Sequence, residues 1–316
     1  MRRIRVLFVC GGNSETFSVS PFIADQAKAL TKLGISVEFY LVKGRGVAGY
    51  LSNVSKLKKR VRQNGIDVIH AHYALSALVV ILAIPRVPVV CSYMGNDILG
   101  KYDKNGRFIW GSIYLAMISL LIQPFLKFAI SKSENTANMV LLSKKQIIPN
   151  GVDLSLFSPR KKHKTKKKSI LFLGNPADEN KNISLLRNAL EFIHDYEFEV
   201  ITPYPTPHES LPQYFNGADL FVLSSIVEGS PNVIKEAMAC NCPIVATNVG
   251  NVKWLLGDLN GHYIAKHDAK DMADKIHLAL DFGERTNGRQ RLNDLGLDSV
   301  TVAKKIERIY QYVIKR

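Results

Sequence analysis

Residues 228–250 read EGSPNVIKEAMACNCPIVATNVG, and two glutamates in this stretch carry the first chemical signal. Seven residues separate Glu228 from Glu236, and the first three are Gly229-Ser230-Pro231. That triplet makes a poor helix interior and a good helix entrance, with Ser230 suited to capping and Pro231 to the first turn. Free backbone amides at such an entrance, from Gly229 to Asn232, favour a phosphate. Glu236 lies four residues after Asn232 and shares its helix face. An ionised carboxylate accepts hydrogen bonds in pairs, which suits the vicinal hydroxyls of a ribose or hexose. Anion-holding amides beside two hydroxyl acceptors read as a nucleotide-sugar site. The plainer reading is two solvated glutamates on a surface helix.

Other candidates are weaker. Gly11-Gly12-Asn13 follows an apolar strand-like run, where glycines let backbone amides approach an anion. The pattern is not GxGxxG, so a plain tight turn fits equally well. His70 and His72 alternate on one strand, which fits a buried strand face better than a metal pair. Cys10, Cys91, Cys240 and Cys242 follow no zinc or disulfide spacing, so a reducing cytoplasmic interior is expected. No nucleophile and base stand at suggestive spacing.

The elements that must position these residues follow an alternating pattern. Strand-like runs 4–10, 36–42, 67–73 and 87–95 alternate with helix-like runs 20–34, 54–65 and 74–84. The alternation resumes with 168–174, 184–193, 198–203, 219–225, the helix after Pro231 and 243–247. Unbroken Val/Ile/Leu strands with helices between them predict parallel sheets covered on both faces. Two such series predict two Rossmann-like α/β domains, whose strand carboxyl ends define a ligand cleft. The expected domains are 1–158 and 169–299, joined by a basic linker at 159–168. A C-terminal helix at about 300–316 is expected to pack back onto the first domain.

Charge is uneven. Of the net +15, residues 1–158 hold 20 Lys and Arg against 8 Asp and Glu, and RKKHKTKKK at 160–168 adds a basic run. That run reads equally as a solvated linker. A basic first half suggests a polyanion or an anionic membrane surface. Nucleic acid is disfavoured, because the clusters lack interleaved aromatic residues. FIWGSIYLAMISLLIQPFL at 108–126 is uncharged over 19 residues, the lower limit for a span. Gly111, Ser112, Ser119, Gln123 and Pro124 dilute it, so a helix packed in a core or dipped into a bilayer surface is expected. No signal-peptide pattern is visible.

Several segments together resemble family 4 glycosyltransferases, retaining enzymes of the GT-B fold with two facing Rossmann-like domains. The 221–250 stretch resembles the family's E-x7-E segment. GIDVIHAHYALSAL (65–78) resembles its first-domain histidine strand, and VPVVCSYMGNDILG (87–100) its Gly-x-Asp loop. AISKSENTANMV (129–140) resembles its serine-containing strand and helix, and IIPNGVDLSLFSP (147–159) its domain junction. The resemblance implies that Glu236 binds the donor ribose and that Glu228 sits by the donor sugar. It implies that the amides of Gly229, Ser230, Pro231's neighbour Asn232 and the loop between them hold sugar and diphosphate. Lys181, in GNPADENKN, matches the phosphate lysine, and Gly12 lies near donor phosphates or acceptor. Glu228, Lys181 and Asp97 form the implied catalytic set, with no metal and no cofactor beyond the nucleotide-sugar donor.

Two positions depart from the family pattern. Asn175 stands where an arginine is usual, and Met94 where a histidine is usual. The expectation is retaining, front-face transfer from a UDP-sugar to a lipid-linked or polysaccharide acceptor. The chain is expected to work peripherally at the inner membrane face. A sugar-nucleotide 2-epimerase of the same fold and an inactive family member stand as alternatives.

Overall fold

The computed structural model describes residues 3–13, 18–63, 65–100, 103, 107–161 and 167–315. The described residues form two parallel sheets in two compact units. The first unit comprises 1–101, 109–151 and 299–316; the second comprises 102–108 and 152–298. The chain therefore divides at Gly151, ahead of the boundary expected at 158. The physical reason lies in Phe157 and Arg289. Phe157 is buried against the rings of His208 and Phe215, while Arg289 donates to the carbonyls of Phe157 and Leu154. Residues 162–166 of the expected linker lie outside the described residues.

The first sheet contains β1 (Arg5–Gly11), β2 (Ser36–Val42), β3 (Val68–His72), β4 (Val89–Ser92), β5 (Phe128–Ser131) and β6 (Lys145–Ile147). Its order is β2-β1-β3-β4-β5-β6. The central strands are buried along their length, as their continuous apolar runs require. The Ala74–Leu82 helix is almost wholly buried in the core beside them. The C-terminal Ser299–Ile314 helix lies in this unit beside the Pro21–Lys32 helix. It is tied to β3 by Tyr310, whose hydroxyl meets His70 Nδ1 at 2.6 Å.

The charge-poor stretch 108–126 is a correction to the core reading. It forms a helix at Ile113–Ile122, flanked by 3-10 turns at Trp110–Ser112 and Gln123–Phe125. Only Leu115, Ser119 and Ile122 of the helix are buried. Pro124 sits in the closing turn, where its missing N–H costs nothing.

The second sheet contains β7 (Lys168–Phe172), β8 (Phe198–Ile201), β9 (Leu220–Leu223), β10 (Ile244–Thr247) and β11 (His262–Ala265), in the order β11-β10-β9-β7-β8. Ile170, Phe172, Leu220, Val222 and Val245 carry its core. The chain leaves β7 for β8 on one side and returns to β9 on the other. β7 and β9 are therefore neighbours whose following helices lie in opposite directions along the sheet, and the carboxyl end of such a switch point is where open α/β sheets bind ligands.

Candidate functional site

The loop after β7 carries Lys181 and the loop after β9 carries Glu228, so the switch point brings the two together. Several bonds fix the approach. Ser224 Oγ, at the end of β9, donates to the carbonyls of Lys181 and Asn182, each at 2.9 Å. Asn180 Nδ2 donates to the Val227 carbonyl at 3.0 Å, and its Oδ1 accepts from the Val227 amide at 3.1 Å. The turn Glu179–Lys181 is itself capped by Asp178, whose carboxylate accepts from Asn180 N. Lys181 Nζ then reaches Glu228 Oε1 at 2.7 Å. Both side chains are largely shielded, so the pair is stiffer than an exposed ion pair.

Two glycines make the packing possible. A Cβ on Gly174 would lie 3.0 Å from the Lys181 stem, and Gly174 has φ +137°. A Cβ on Gly250 would lie 2.4 Å from the Gly229 carbonyl oxygen and 2.7 Å from that of Glu228. Gly250 thus lets the loop after β10 lie directly against the Glu228-Gly229 backbone.

The helix after this loop runs Asn232–Ala239, with Pro231 at its N-cap position. The expected cap from Ser230 is absent. Lys235, fully buried, donates to Ser230 Oγ at 3.2 Å, which draws the hydroxyl away from the helix amides. Gly229 and Pro231 are buried and Ser230 and Asn232 half-buried around this entrance. One turn on, Glu236 is buried, with Oε1 3.1 Å from His208 Nε2. Its Oε2 is buried with no hydrogen-bond partner among the described residues. A carboxylate oxygen shielded from water and left open is a strong acceptor, because its desolvation is uncompensated. His208 was not singled out from sequence; PTPHES carries no periodic or motif signal that marks it.

Gly12 and Asp97 belong to the first unit. Gly12 follows β1 directly, and its amide donates to the Val42 carbonyl at 2.9 Å. A Cβ there would lie 2.8 Å from Leu41 Cβ, so glycine is required by packing. Asp97 is fully buried. Its Oδ1 accepts from the amides of Met94 and Gly95 and its Oδ2 from that of Ala74, all at 2.9 Å. Burial pushes its carboxyl up to about 6, and these amides limit the rise. The carboxylate braces the loop after β4 against the start of the 74–82 helix. Met94 lines a cavity of about 400 Å³ with Gly11, His72, Tyr73 and Tyr114. His70 and His72 stack at 4.3 Å, and burial drives both well below the usual histidine range. Asn175 supports its own turn, accepting from Ala177 N at 2.9 Å. Among the described residues no group of three or more His, Cys, Asp and Glu is arranged to hold a metal ion.

A family model described as Glycosyltransferase Family 4 matches residues 2–156, and one described as Glycosyl transferases group 1 matches 193–281. The chain belongs to the family 4-type glycosyltransferases. The chain is 27% identical over 256 residues to a putative teichuronic acid biosynthesis glycosyltransferase of Bacillus subtilis. The match covers 70% of this chain, and the chain spans 64% of that relative's length. Sucrose-phosphate synthase from Thermosynechococcus elongatus has the same fold, with TM-score 0.82 and 18% identity over 99% of this chain and 100% of that one. So does Anabaena HepE in complex with UDP-glucose, with TM-score 0.74 and 17% identity over 98% of this chain and 100% of that one. These likenesses establish the GT-B fold.

Proposed function

We propose that this glycosyltransferase moves a sugar, with retention at the anomeric carbon, from a UDP-sugar to a hydroxyl acceptor. The acceptor is a lipid-linked or polysaccharide glycan of the cell surface, met at the inner membrane face. The observation that carries the reading is the open, buried Oε2 of Glu236 one helical turn beyond a loop that pairs Lys181 with Glu228. Glu236 accepts from ribose hydroxyls while His208 fixes its other oxygen. Lys181 supplies positive charge to the diphosphate, helped by the helix entrance at 229–232. Glu228 holds Lys181 with one oxygen and accepts a sugar hydroxyl with the other. The UDP-glucose complex of the Anabaena neighbour supports the donor class, and the teichuronic acid biosynthesis role of the Bacillus subtilis relative supports a surface glycan.

In the front-face reaction the bond from the anomeric carbon to the phosphate oxygen breaks as the acceptor oxygen bonds on the same face. The acceptor proton passes to the departing phosphate oxygen. Lys181 and the loop amides offset the charge that develops there, with no metal ion required. The test is Glu228→Gln. It is expected to leave UDP affinity within about twofold of the parent while lowering turnover by at least about tenfold. Equal losses of UDP and UDP-sugar affinity contradict the assignment of Glu228 to the sugar.

A further inference from the structure

The Ile113–Ile122 helix of the first unit carries no charged residue. Its buried side is Leu115, Ser119 and Ile122, yet Ile113, Met117, Leu120 and Leu121 are exposed, Leu121 to 67%. These four recur at three- and four-residue steps and so form one stripe. The flanking turns extend it with Trp110 and Phe125, exposed to 76% and 66%. Scattered exposed apolar side chains are ordinary, but a contiguous stripe of this kind marks a surface built to be covered.

A second feature enlarges the same surface. Gln123 is fully buried at the end of the helix, and both ends of its amide hold one loop. Nε2 donates to the Met139 carbonyl at 3.0 Å, and Oε1 accepts from the amides of Leu141 and Leu142 at 2.7 and 2.9 Å. The loop so pinned presents Leu141 and Leu142 to solvent at 68% and 58% exposure. A buried polar anchor thus holds apolar side chains outward where they could otherwise collapse inward.

Charge and chemistry indicate what covers this face. Glu134 is the one acidic residue between 109 and 151, whereas Lys127, two residues after Phe125, and Lys144, two residues after Leu142, are exposed, Lys144 with its Nζ donating to the Tyr312 hydroxyl. An apolar stripe with a tryptophan and a tyrosine, and with lysines close by in sequence, matches the interfacial layer of an anionic bilayer. The ten-residue helix is about 15 Å long and cannot span a hydrocarbon core of about 30 Å. We propose that the Ile113–Ile122 helix and the 139–142 loop seat this glycosyltransferase on an anionic lipid bilayer, the helix lying in the membrane plane. Tyr114 and Leu115 of that helix also line the 400 Å³ cavity of the first unit. Docking therefore brings one wall of the cavity to the lipid surface, where a lipid-carried acceptor would be presented; that consequence, unlike the docking, rests on the proposed transfer reaction.

The test floats the full chain with vesicles of phosphatidylcholine and phosphatidylglycerol across a salt series, without donor or acceptor. The parent is expected to float and to stay bound at about 1 M salt, where the Debye length is about 3 Å. The double variant Met117→Glu/Leu121→Glu is expected to lose about tenfold or more in partitioning, and Leu141→Glu to lose binding from the loop side. Lys56→Gln/Lys59→Gln/Arg62→Gln, on the separate basic helix Val54–Arg62, is expected to leave the high-salt retention unchanged. All variants alter exposed side chains, and thermal unfolding verifies that each is folded. Equal flotation of parent and double variant overturns the proposal, as does a folded parent that does not float. A parent dimer that the double variant converts to monomer, seen by light scattering, assigns the face to a second copy and also overturns it. Failure of the transfer reaction would leave the flotation result untouched.

Discussion

Asp97→Asn separates a structural brace from a group needed for its charge. The substitution keeps the shape but turns one carboxylate oxygen into a donor. Whichever way the new amide lies, an N–H faces an N–H: that of Ala74 on one side, or those of Met94 and Gly95 on the other. The cheaper arrangement strands the Ala74 amide. Leaving that buried amide without an acceptor costs about 1–3 kcal/mol. Against this stands the burial of the charge itself. A carboxyl raised from 3.8 to about 6 is disfavoured as an anion by about 3 kcal/mol. The sign follows from proton linkage. The native state binds this proton more tightly than the unfolded chain does. Asp97's contribution to stability is therefore fully present below about pH 4 and is lost as pH rises to about 6. Asparagine has no such slope. The variant is expected to be less stable than the parent at pH 4, with the gap narrowing by about 3 kcal/mol by pH 7. Urea unfolding followed by circular dichroism across pH 4–8 reads both numbers. A gap independent of pH refutes the linkage argument, and a variant more stable than the parent at pH 4 refutes the bracing role.

Lys181→Ala is expected to remove most transfer activity and weaken UDP binding by about tenfold or more, read by calorimetry, because it deletes the cation and leaves Glu228 unpaired. Full activity in that variant would break the assignment of the 174–182 loop. Asn175→Arg is expected to fold, to cost less than about 1 kcal/mol through loss of its turn bond, and to tighten UDP binding; weaker binding would show that the position does not face the diphosphate.

Much of this was legible in the sequence, for physical reasons. The buried strands of parallel sheets are continuous apolar runs, and β1, β3, β7 and β9 read directly. The loops carrying Lys181 and Glu228 follow such strands, so their place at the carboxyl ends was legible as well. Their meeting was not, because it depends on the crossing from β8 back to β9. β6 was invisible: it is a three-residue edge strand of Lys, Gln and Ile, exposed throughout. β11 has only four residues, and its polar His262 at the start blurs the run. Capping by Ser230 failed as an expectation because Lys235, five residues on, competes for the hydroxyl. His208 joins Glu236 from a turn 28 residues away, and no local pattern predicts such a contact. The 108–126 stretch left a core helix and a bilayer-surface helix both open, because hydropathy records how apolar a helix is without recording which side is covered.

The central claim is that the second unit holds a nucleotide through Glu236, and calorimetric titration of UDP tests it most directly. Glu236→Gln keeps the shape, removes the charge and is expected to weaken UDP binding by about tenfold, near 1.4 kcal/mol. Glu236→Ala removes the acceptor altogether, along with the carboxylate that His208 contacts, for a loss of up to about a hundredfold. UDP affinity identical to the parent in both variants, each shown to be folded, would contradict the account.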